Sequence, residues 1–206
     1  MQSEPTEGPR TTRGARTAAR LRQAAREIFT ERGYAAARVE DVVARAGVSH
    51  GTFYTYFDNK SAALDALIDG TEGELLAVVE EPWEGTDVAE TIEAVIARFV
   101  EVFAADADVI GAWLEASAHE KHFRDRLREV RAGYVDRVAT QLEPALADTP
   151  HDAHVAAAAL VAMVEGYATQ GMAADDLEQR ASTVATLSAI WFGGLIRLSE
   201  DRDSTS

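Results

Sequence analysis

Apolar residues recur at helical spacing along almost the whole chain of 206 residues, and no sustained alternation of apolar and polar residues appears. Steps of three and four residues place side chains on one face of an α-helix, whereas a half-buried strand requires a step of two. The sequence therefore predicts an all-α fold. Helix start and stop signals divide the pattern into nine helices.

The boundaries of the first four helices follow from residues that favour helix ends. Gly33 and Gly47 come directly after the first two apolar stripes, where a residue that tolerates a positive φ can end a helix. Ser49 and Asn59 are good N-caps for the third and fourth helices. Gly70 and Gly73 interrupt the fourth helix and are plausible places for it to bend.

The later boundaries are set by prolines and short connections. The chain is predicted to break at Pro82 and Gly85, to have a connection at 105–107, and to end its seventh helix at Pro144 or Pro150. The eighth helix is predicted at about 153–170 and the ninth at about 177–198. The predicted domains are a flexible tail at 1–12, a DNA-binding domain at 13–58, a helical body at 59–200 and a flexible tail at 201–206.

Charge is distributed unevenly along the chain, whose formal net charge is −15. Residues 10–38 contain eight arginines and two glutamates, a local charge of +6, whereas residues 63–206 carry −18. Such an asymmetry indicates a polyanion-binding end on an acidic body. Taken alone, the arginines could equally well solvate an exposed helix.

Other features of the composition exclude several classes of protein. The chain has no cysteine, which rules out disulfides, thiolate nucleophiles and cysteine-ligated zinc. The polar N-terminus lacks the apolar run of a signal peptide, and no apolar stretch approaches the roughly 18 residues that span a bilayer. We therefore expect a cytoplasmic protein with no membrane contact.

Residues 39–57 have the pattern of a helix-turn-helix: a short amphipathic helix, a turn through Gly47, and a second short helix. Phe53 and Phe57 would hold the second helix to its module. Its free side would present hydrogen-bonding groups of a size that fits the major groove, namely Ser49, His50, Thr52, Tyr54 and Thr55, with Gly51 allowing close backbone approach. A helical hairpin inside an ordinary bundle would not need so many exposed aromatic residues.

These residues resemble the tetracycline-repressor (TetR) family of regulators over about residues 16–68. The matching segments are AAREIF at 24–29, ERGY at 31–34, VEDVV at 39–43, AGVS at 46–49, GTFY at 51–54 and YFDNK at 56–60. The resemblance implies a homodimer of nine-helix subunits, each with a three-helix DNA-binding head and a variable ligand-binding body. It also implies regulation by binding a palindromic DNA operator, usually as a repressor that a small molecule releases.

The resemblance assigns roles to individual residues. Thr52, Tyr54 and Tyr56 correspond to base or phosphate contacts, and Lys60 to a phosphate-clamping lysine at the start of the fourth helix. His50 lies where the family varies most and is a candidate specificity residue. Arg38 replaces the usual Thr or Ser before the second helix, which weakens the cap, although an arginine could reach phosphate instead.

The eighth and ninth helices are long, apolar and rich in small residues, which permits close packing. The family places its dimer interface here, and two heads need a two-fold axis to reach successive major grooves. The alternative is that they are core helices of a monomer. A small, largely apolar effector could bind among large residues of the body, although plain core packing is the alternative for each: Phe99, Phe103, Trp113, Phe123, Tyr134, Met163 and Tyr167.

No combination of residues predicts an enzyme, a cofactor or a metal centre. Glu115, His119 and His122 share a spacing compatible with zinc or nickel, but they straddle the junction of the sixth and seventh helices, so solvated histidines are the simpler interpretation. No nucleophile–base pair can be assembled. A constitutive DNA-binding regulator without a ligand pocket remains an alternative, and a ligand-binding enzyme a remote one.

Overall fold

The computed structural model describes residues 8–80, 88–171 and 177–200, and within these ranges the chain forms nine helices and no strand. The helices are α1 Gly8–Arg32, α2 Val39–Ala46, α3 His50–Tyr56, α4 Lys60–Glu80, α5 Val88–Ala105, α6 Ala107–His119, α7 Lys121–Leu146, α8 Ala153–Gly171 and α9 Leu177–Glu200. This confirms the predicted all-α class and the order of its helices.

The helix ends near the N-terminus form as the local sequence requires. Gly33 and Gly47 adopt φ values of 75° and 62°, in the left-handed region where a glycine has no Cβ to clash. The Ser49 hydroxyl accepts a hydrogen bond from the Thr52 amide at 3.1 Å. The Asn59 side chain caps α4 by accepting from the Ala62 amide at 2.9 Å.

Two boundaries differ from the prediction. The helix α1 begins at Gly8, so residues 8–12 of the expected tail are helical; residues 1–7 and 201–206 lie outside the described ranges, as do Pro82 and Gly85. The helix α7 continues through Pro144 to Leu146. A proline in the last turn of a helix forfeits a single backbone hydrogen bond near an end that already frays, so the helix does not have to stop there.

The expectation that no stretch of the chain is long and apolar enough to cross a bilayer was wrong for one helix. Residues Arg180–Glu200 of α9 have a mean hydropathy of 1.3 over the length of a membrane span. The core helices of globular proteins pass the same test, and Leu187, Trp191 and Leu195 of this helix are buried within the protein. One such helix is therefore weak evidence for a membrane protein.

The chain divides into two compact units. The first, here called the head unit, consists of residues Met1–Gly70 and Asp108–Phe123, and it therefore includes α6 as well as the three N-terminal helices. The second, the body unit, consists of Thr71–Ala107 and Arg124–Ser206. The predicted boundary at residue 58 placed α6 with the body, whereas the compact units place it with the head.

Each unit has its own apolar core. In the head unit the fully buried side chains come from α1, α3, α4, α6 and the start of α7, and include Leu21, Ala25, Phe53, Leu64, Ile68, Ala116 and Phe123. In the body unit α5 packs against α8 and α9, and the deeply buried side chains include Ile92, Ile96, Val100, Leu142 and Ala157. The periodic stripes of the sequence account for these burial patterns.

Candidate nucleic-acid interface

The short helix α3 is attached to the head unit by two phenylalanines. Phe53 is fully buried and Phe57 almost so, and their ring centroids lie 5.6 Å apart. The side chains between them face solvent, with Tyr54 exposed to 55%. The helix therefore presents a polar and aromatic surface outward while its apolar side holds it in place.

The exposed surface of α3 brings together most of the predicted contact residues. Ser49, His50, Gly51 and Tyr56 are exposed and Thr52 is half-buried. The Thr55 hydroxyl, by contrast, donates back to the Gly51 carbonyl at 2.9 Å. Hydroxyl and imidazole groups on a free helix face are chemically suited to base edges and phosphates.

The N-terminal part of α1 lies beside the end of α3. A Cβ built on Gly14 would come within 3.6 Å of the Tyr56 hydroxyl oxygen. The side chains of Arg10 and Arg13, in the same part of α1, are outside the described set. The backbone of α1 is thus in position to extend the surface of α3.

Part of the positive charge of residues 10–38 is used inside the head unit. The engaged arginines donate to an acceptor on α2 or α6: Arg20 to the Ala46 carbonyl, Arg26 to Asp108 at 2.6 and 2.7 Å, and Arg32 to Asp41 at 2.8 Å. The +6 of this segment therefore overstates the charge that is free for a polyanion.

Three arginines remain exposed and have no partner among the described residues: Arg16, Arg22 and Arg38. Arg38 precedes α2, and its backbone amide donates to the Asp41 carboxylate at 3.3 Å. The side chain of Asp41 thus supplies one half of a capping box, and the hydroxyl half is missing because residue 38 is an arginine. The Arg38 guanidinium is consequently free to reach solvent or phosphate.

The ammonium of Lys60 is bound within the head unit. Its Nζ donates to the carbonyls of Tyr34, Ala35 and Ala37 at 2.8, 3.0 and 3.1 Å, and it lies 4.6 Å from the centroid of the Tyr34 ring. An ammonium has three N–H donors, and all three are used here. In this conformation Lys60 ties the turn between α1 and α2 to the start of α4.

The same turn, residues 33–38, is held on its amide side by a carboxylate of α6. The Oε2 and Oε1 atoms of Glu115 accept from the backbone amides of Tyr34 at 2.7 Å and Ala35 at 3.1 Å. The positive φ of Gly33 favours glycine there, and a Cβ at this position would come within 2.9 Å of Glu115 Oε2 and displace the carboxylate. Lysine and glutamate together satisfy the carbonyls and the amides of one turn.

Two further carboxylates strengthen the attachment of α6 and its following residue. Asp108 pairs with Arg26; burial acts to raise its pKa, but the hydrogen bonds from Arg26 and from the Val109 amide bring that pKa below its ordinary value. Glu120 accepts from the hydroxyls of Tyr34 at 2.6 Å and Ser61 at 2.9 Å. Burial, and then this bond to Glu120, raises the pKa of the Tyr34 hydroxyl.

Sequence reasoning missed this function of Glu115, Glu120 and Asp108. Glu115 had been considered only as a possible metal ligand, and His122 instead lies 2.8 Å from Asp65. As expected, the junction of α6 and α7 separates Glu115 and His119 from His122. Among the described residues no three histidine, cysteine or acidic side chains form a cluster that could hold a metal ion.

The predicted ligand-binding residues fall into two groups. Trp113 and Phe123 belong to the core of the head unit, where the indole Nε1 of Trp113 donates to the Phe123 carbonyl at 3.2 Å. The others belong to the body unit, and two of them, Phe99 and Tyr134, line a cavity there. Phe103 stacks on Phe99 with ring centroids 5.2 Å apart, while Met163 and Tyr167 are not part of the cavity lining.

A short helix with an exposed polar face, held at a tight turn against a preceding helix of similar length, defines a helix-turn-helix protein. Comparison with known proteins shows which family of helix-turn-helix proteins this segment resembles. Residues 21–67 match the model of "Bacterial regulatory proteins, tetR family". Over these residues the chain is therefore similar to this family.

Curated relatives agree with this assignment. The chain is 30% identical over 115 residues to the fatty acid metabolism regulator protein of Bacillus subtilis, covering 55% of this chain and 59% of that protein. It is 33% identical over 95 residues to the HTH-type transcriptional regulator UidR of Escherichia coli K12, covering 46% and 48%. The chain thus aligns with about half of the length of these relatives, and they are named as regulators, in agreement with the expectation that the protein is not an enzyme.

The fold of most of the chain is also known from solved structures. The fatty acid degradation regulator FadR from Bacillus halodurans superimposes with a TM-score of 0.69 at 24% identity, covering 85% of this chain and 98% of that one. At this level of identity the comparison establishes the fold and leaves ligands and partners open.

Proposed function

We propose that the protein is a DNA-binding transcriptional regulator that inserts α3 into the major groove of a DNA operator. The observation that carries this proposal is the exposed polar face of α3, anchored from behind by Phe53 and Phe57. His50 and Thr52 lie on the first turn, where the recognition helix of this motif reads base edges. Tyr54, Tyr56 and Ser49 are positioned for bases or backbone phosphates.

Fewer cationic side chains are available to bind phosphate than the sequence alone indicated. Arg16, Arg22 and Arg38 are exposed and unengaged among the described residues, and they are the residues proposed to neutralise phosphates. Lys60, whose ammonium is already saturated, contributes by positioning: it fixes the turn that sets the angle between α1 and α2. This modifies the role that the family resemblance implies for it.

The regulator is proposed to act as a homodimer through α8 and α9. These helices carry apolar side chains that face solvent, namely Val155 at 66% exposure, Ile190 at 54%, Tyr167 and Ile196. Gly193 and Gly194 are exposed too, with no heavy atom within 4 Å of an added Cβ. An exposed apolar surface with small residues is suited to close helix packing against a second copy, and a two-fold dimer would present its recognition helices one DNA turn apart.

The body is proposed to sense a small, largely apolar effector in the cytoplasm, and binding would release the protein from its operator, as a repressor does. The cavity lined by Phe99 and Tyr134 supports an effector site. The helix α4 belongs to both compact units, and the division falls after Gly70, one of the glycines at which bending was predicted. An effector that binds one arrangement of this helix more tightly would shift the population towards it.

Selection of bound duplexes from a random DNA library, with the full-length chain at low salt, tests the proposal. We expect a palindromic consensus with two half-sites about 34 Å apart, one helical turn. Recovery of no enriched sequence at low salt would refute DNA recognition by α3. A consensus with a single half-site would refute the dimer.

The variant His50→Ala should change the consensus at one position of each half-site, since a residue that reads a base edge sets which base wins. The matched control is His154→Ala, which alters an exposed histidine of α8 that lies 3.1 Å from Asp136 in the body unit. It should leave the consensus unchanged.

A further inference from the structure

The cavity of the body unit is lined by apolar and aromatic side chains from five helices. Its closed volume is about 30 Å³, and the space that includes its open mouth is about 370 Å³. The lining residues that matter for its chemistry are Val79 of α4, Ile96 and Phe99 of α5, Tyr134 of α7, Val164 of α8 and Trp191 of α9.

Among the described residues, no charged side chain lines this cavity. The arginines of α7 on either side of Tyr134 are engaged with carboxylates: Arg126 with Glu72 at 2.7 Å, Arg131 with Glu165 at 2.9 Å, and Arg137 with Glu80 at 3.2 Å. An anion entering the cavity would lose its hydration without gaining a free cation. The surroundings therefore disfavour a carboxylate or phosphate ligand.

The hydroxyl of Tyr134 is a polar group in the lining of this cavity. Its side chain is 3% exposed, and its hydroxyl has no hydrogen-bond partner among the described residues. Phe99 packs edge-on against the ring, with centroids 6.2 Å apart at 88°. Burial raises the pKa of the hydroxyl, and the carboxylates of Glu72 and Glu165 raise it further, so the group stays protonated and can donate.

A buried donor without an acceptor is uncommon in folded proteins and calls for an explanation. For the Tyr134 hydroxyl, which belongs to a residue that lines a cavity, a ligand that carries the acceptor would provide that explanation. An apolar lining with a small number of polar groups is also the usual composition of a site that binds a compact organic molecule.

Resting on the proposed function of the body as a sensor, we propose that the effector is a neutral, weakly polar aromatic or alicyclic molecule with one acceptor oxygen, such as a ketone, ester or ether. The Tyr134 hydroxyl donates to that oxygen. The apolar part of the molecule fills the space between Phe99, Val164 and Trp191. Carboxylates are excluded from the site.

Three probes of matched shape test this proposal: acetophenone, which carries an acceptor, ethylbenzene, which does not, and benzoate, which is an anion. Each is titrated into the full-length protein without DNA by isothermal titration calorimetry. We expect acetophenone to bind about 2- to 10-fold more tightly than ethylbenzene, the contribution of one net hydrogen bond. Benzoate should give no binding over the same concentrations.

The variant Tyr134→Phe should bring the affinity ratio of acetophenone to ethylbenzene close to one while leaving ethylbenzene binding unchanged. Because the hydroxyl has no hydrogen-bond partner among the described residues, the melting temperature of this variant should be equal to or above that of the wild type. The matched control is Thr140→Val, which removes an exposed hydroxyl of the same helix that donates to the Asp136 carbonyl at 3.0 Å, outside the cavity lining; it should keep the wild-type ratio.

The proposal is overturned by tight benzoate binding, by an unchanged ratio in Tyr134→Phe, or by the failure of both neutral probes to bind. These outcomes are separate from the fate of the proposed function, since DNA selection is performed without any probe. A protein that binds the ketone but selects no DNA would support the effector site and refute the proposed DNA-binding regulator. One that selects DNA but binds none of the probes would keep the regulator and lose this effector class.

Discussion

Replacing Lys60 with methionine separates a positioning lysine from a phosphate-binding one. Methionine keeps an unbranched apolar stem of similar length and removes only the ammonium. The variant loses three hydrogen bonds, of 2.8, 3.0 and 3.1 Å, and the contact of the charge with the Tyr34 ring at 4.6 Å. The carbonyls it leaves lie on a turn where Ala35 is exposed, so water can replace part of the loss.

The expected cost follows from these contacts. With water recovering part of each bond, about 1 kcal/mol per hydrogen bond gives about 3 kcal/mol, and the cation–π contact adds about 0.5 kcal/mol. We therefore expect the free energy of unfolding of the head unit to fall by about 3–4 kcal/mol. Hydrogen exchange of the amides in residues 33–38, together with urea denaturation of the full chain, measures this change.

The salt dependence of DNA binding supplies the decisive comparison. A lysine that touches phosphate contributes about 0.9 to the slope of log K against log salt, and its loss lowers the slope by that amount. For Lys60→Met we expect weaker binding to all sequences with an unchanged slope. The control Arg38→Met, at an exposed side chain, should lower the slope by about 0.9 and leave the unfolding free energy unchanged. A lowered slope with unchanged stability in Lys60→Met would refute the reasoning.

Three further predictions follow from the same contacts. Glu115→Ala should destabilise the head by about 1–3 kcal/mol and accelerate hydrogen exchange at the two amides it binds, because it leaves them without an acceptor. Glu115→Gln, which has a single acceptor oxygen, should retain protection at only one of the two amides. The pKa of Asp108 in the folded protein is lowered from its ordinary value of 3.8. The stability that its pair with Arg26 contributes is therefore present above pH 3.8 and is lost as the pH falls through the lowered pKa. Acid titration of unfolding should show this loss in the wild type and not in Arg26→Met. Ile190→Glu should convert the dimer to a monomer in sedimentation velocity, while Leu114→Glu, at an exposed residue of α6, should not; a dimeric Ile190→Glu protein would place the interface elsewhere.

The sequence by itself determined the helices and the recognition surface. Apolar periodicity and end signals such as Gly33, Gly47 and Ser49 act within a few residues, so helix order and most helix ends could be predicted without knowing what packs where. The outward face of α3 was equally local, because the spacing of Phe53 and Phe57 decides which side is buried. Pro144, one of the two prolines predicted to end α7, lies inside the helix. A proline so close to the end of a helix costs only one backbone hydrogen bond, so its position rather than its identity decides whether the helix stops.

Only the tertiary structure decided which charges are free and which are engaged. Arg26 and Asp108 are 82 residues apart in sequence, and Glu115 is 81 residues from the Tyr34 amide that it accepts from. A charged side chain looks the same in the sequence whether its partner is a phosphate, a carboxylate or a backbone carbonyl, since pairing depends on distance in space. For that reason the sequence overstated the number of arginines available to the proposed polyanion site. The contacts of Lys60 became apparent only when three carbonyls were found around its ammonium.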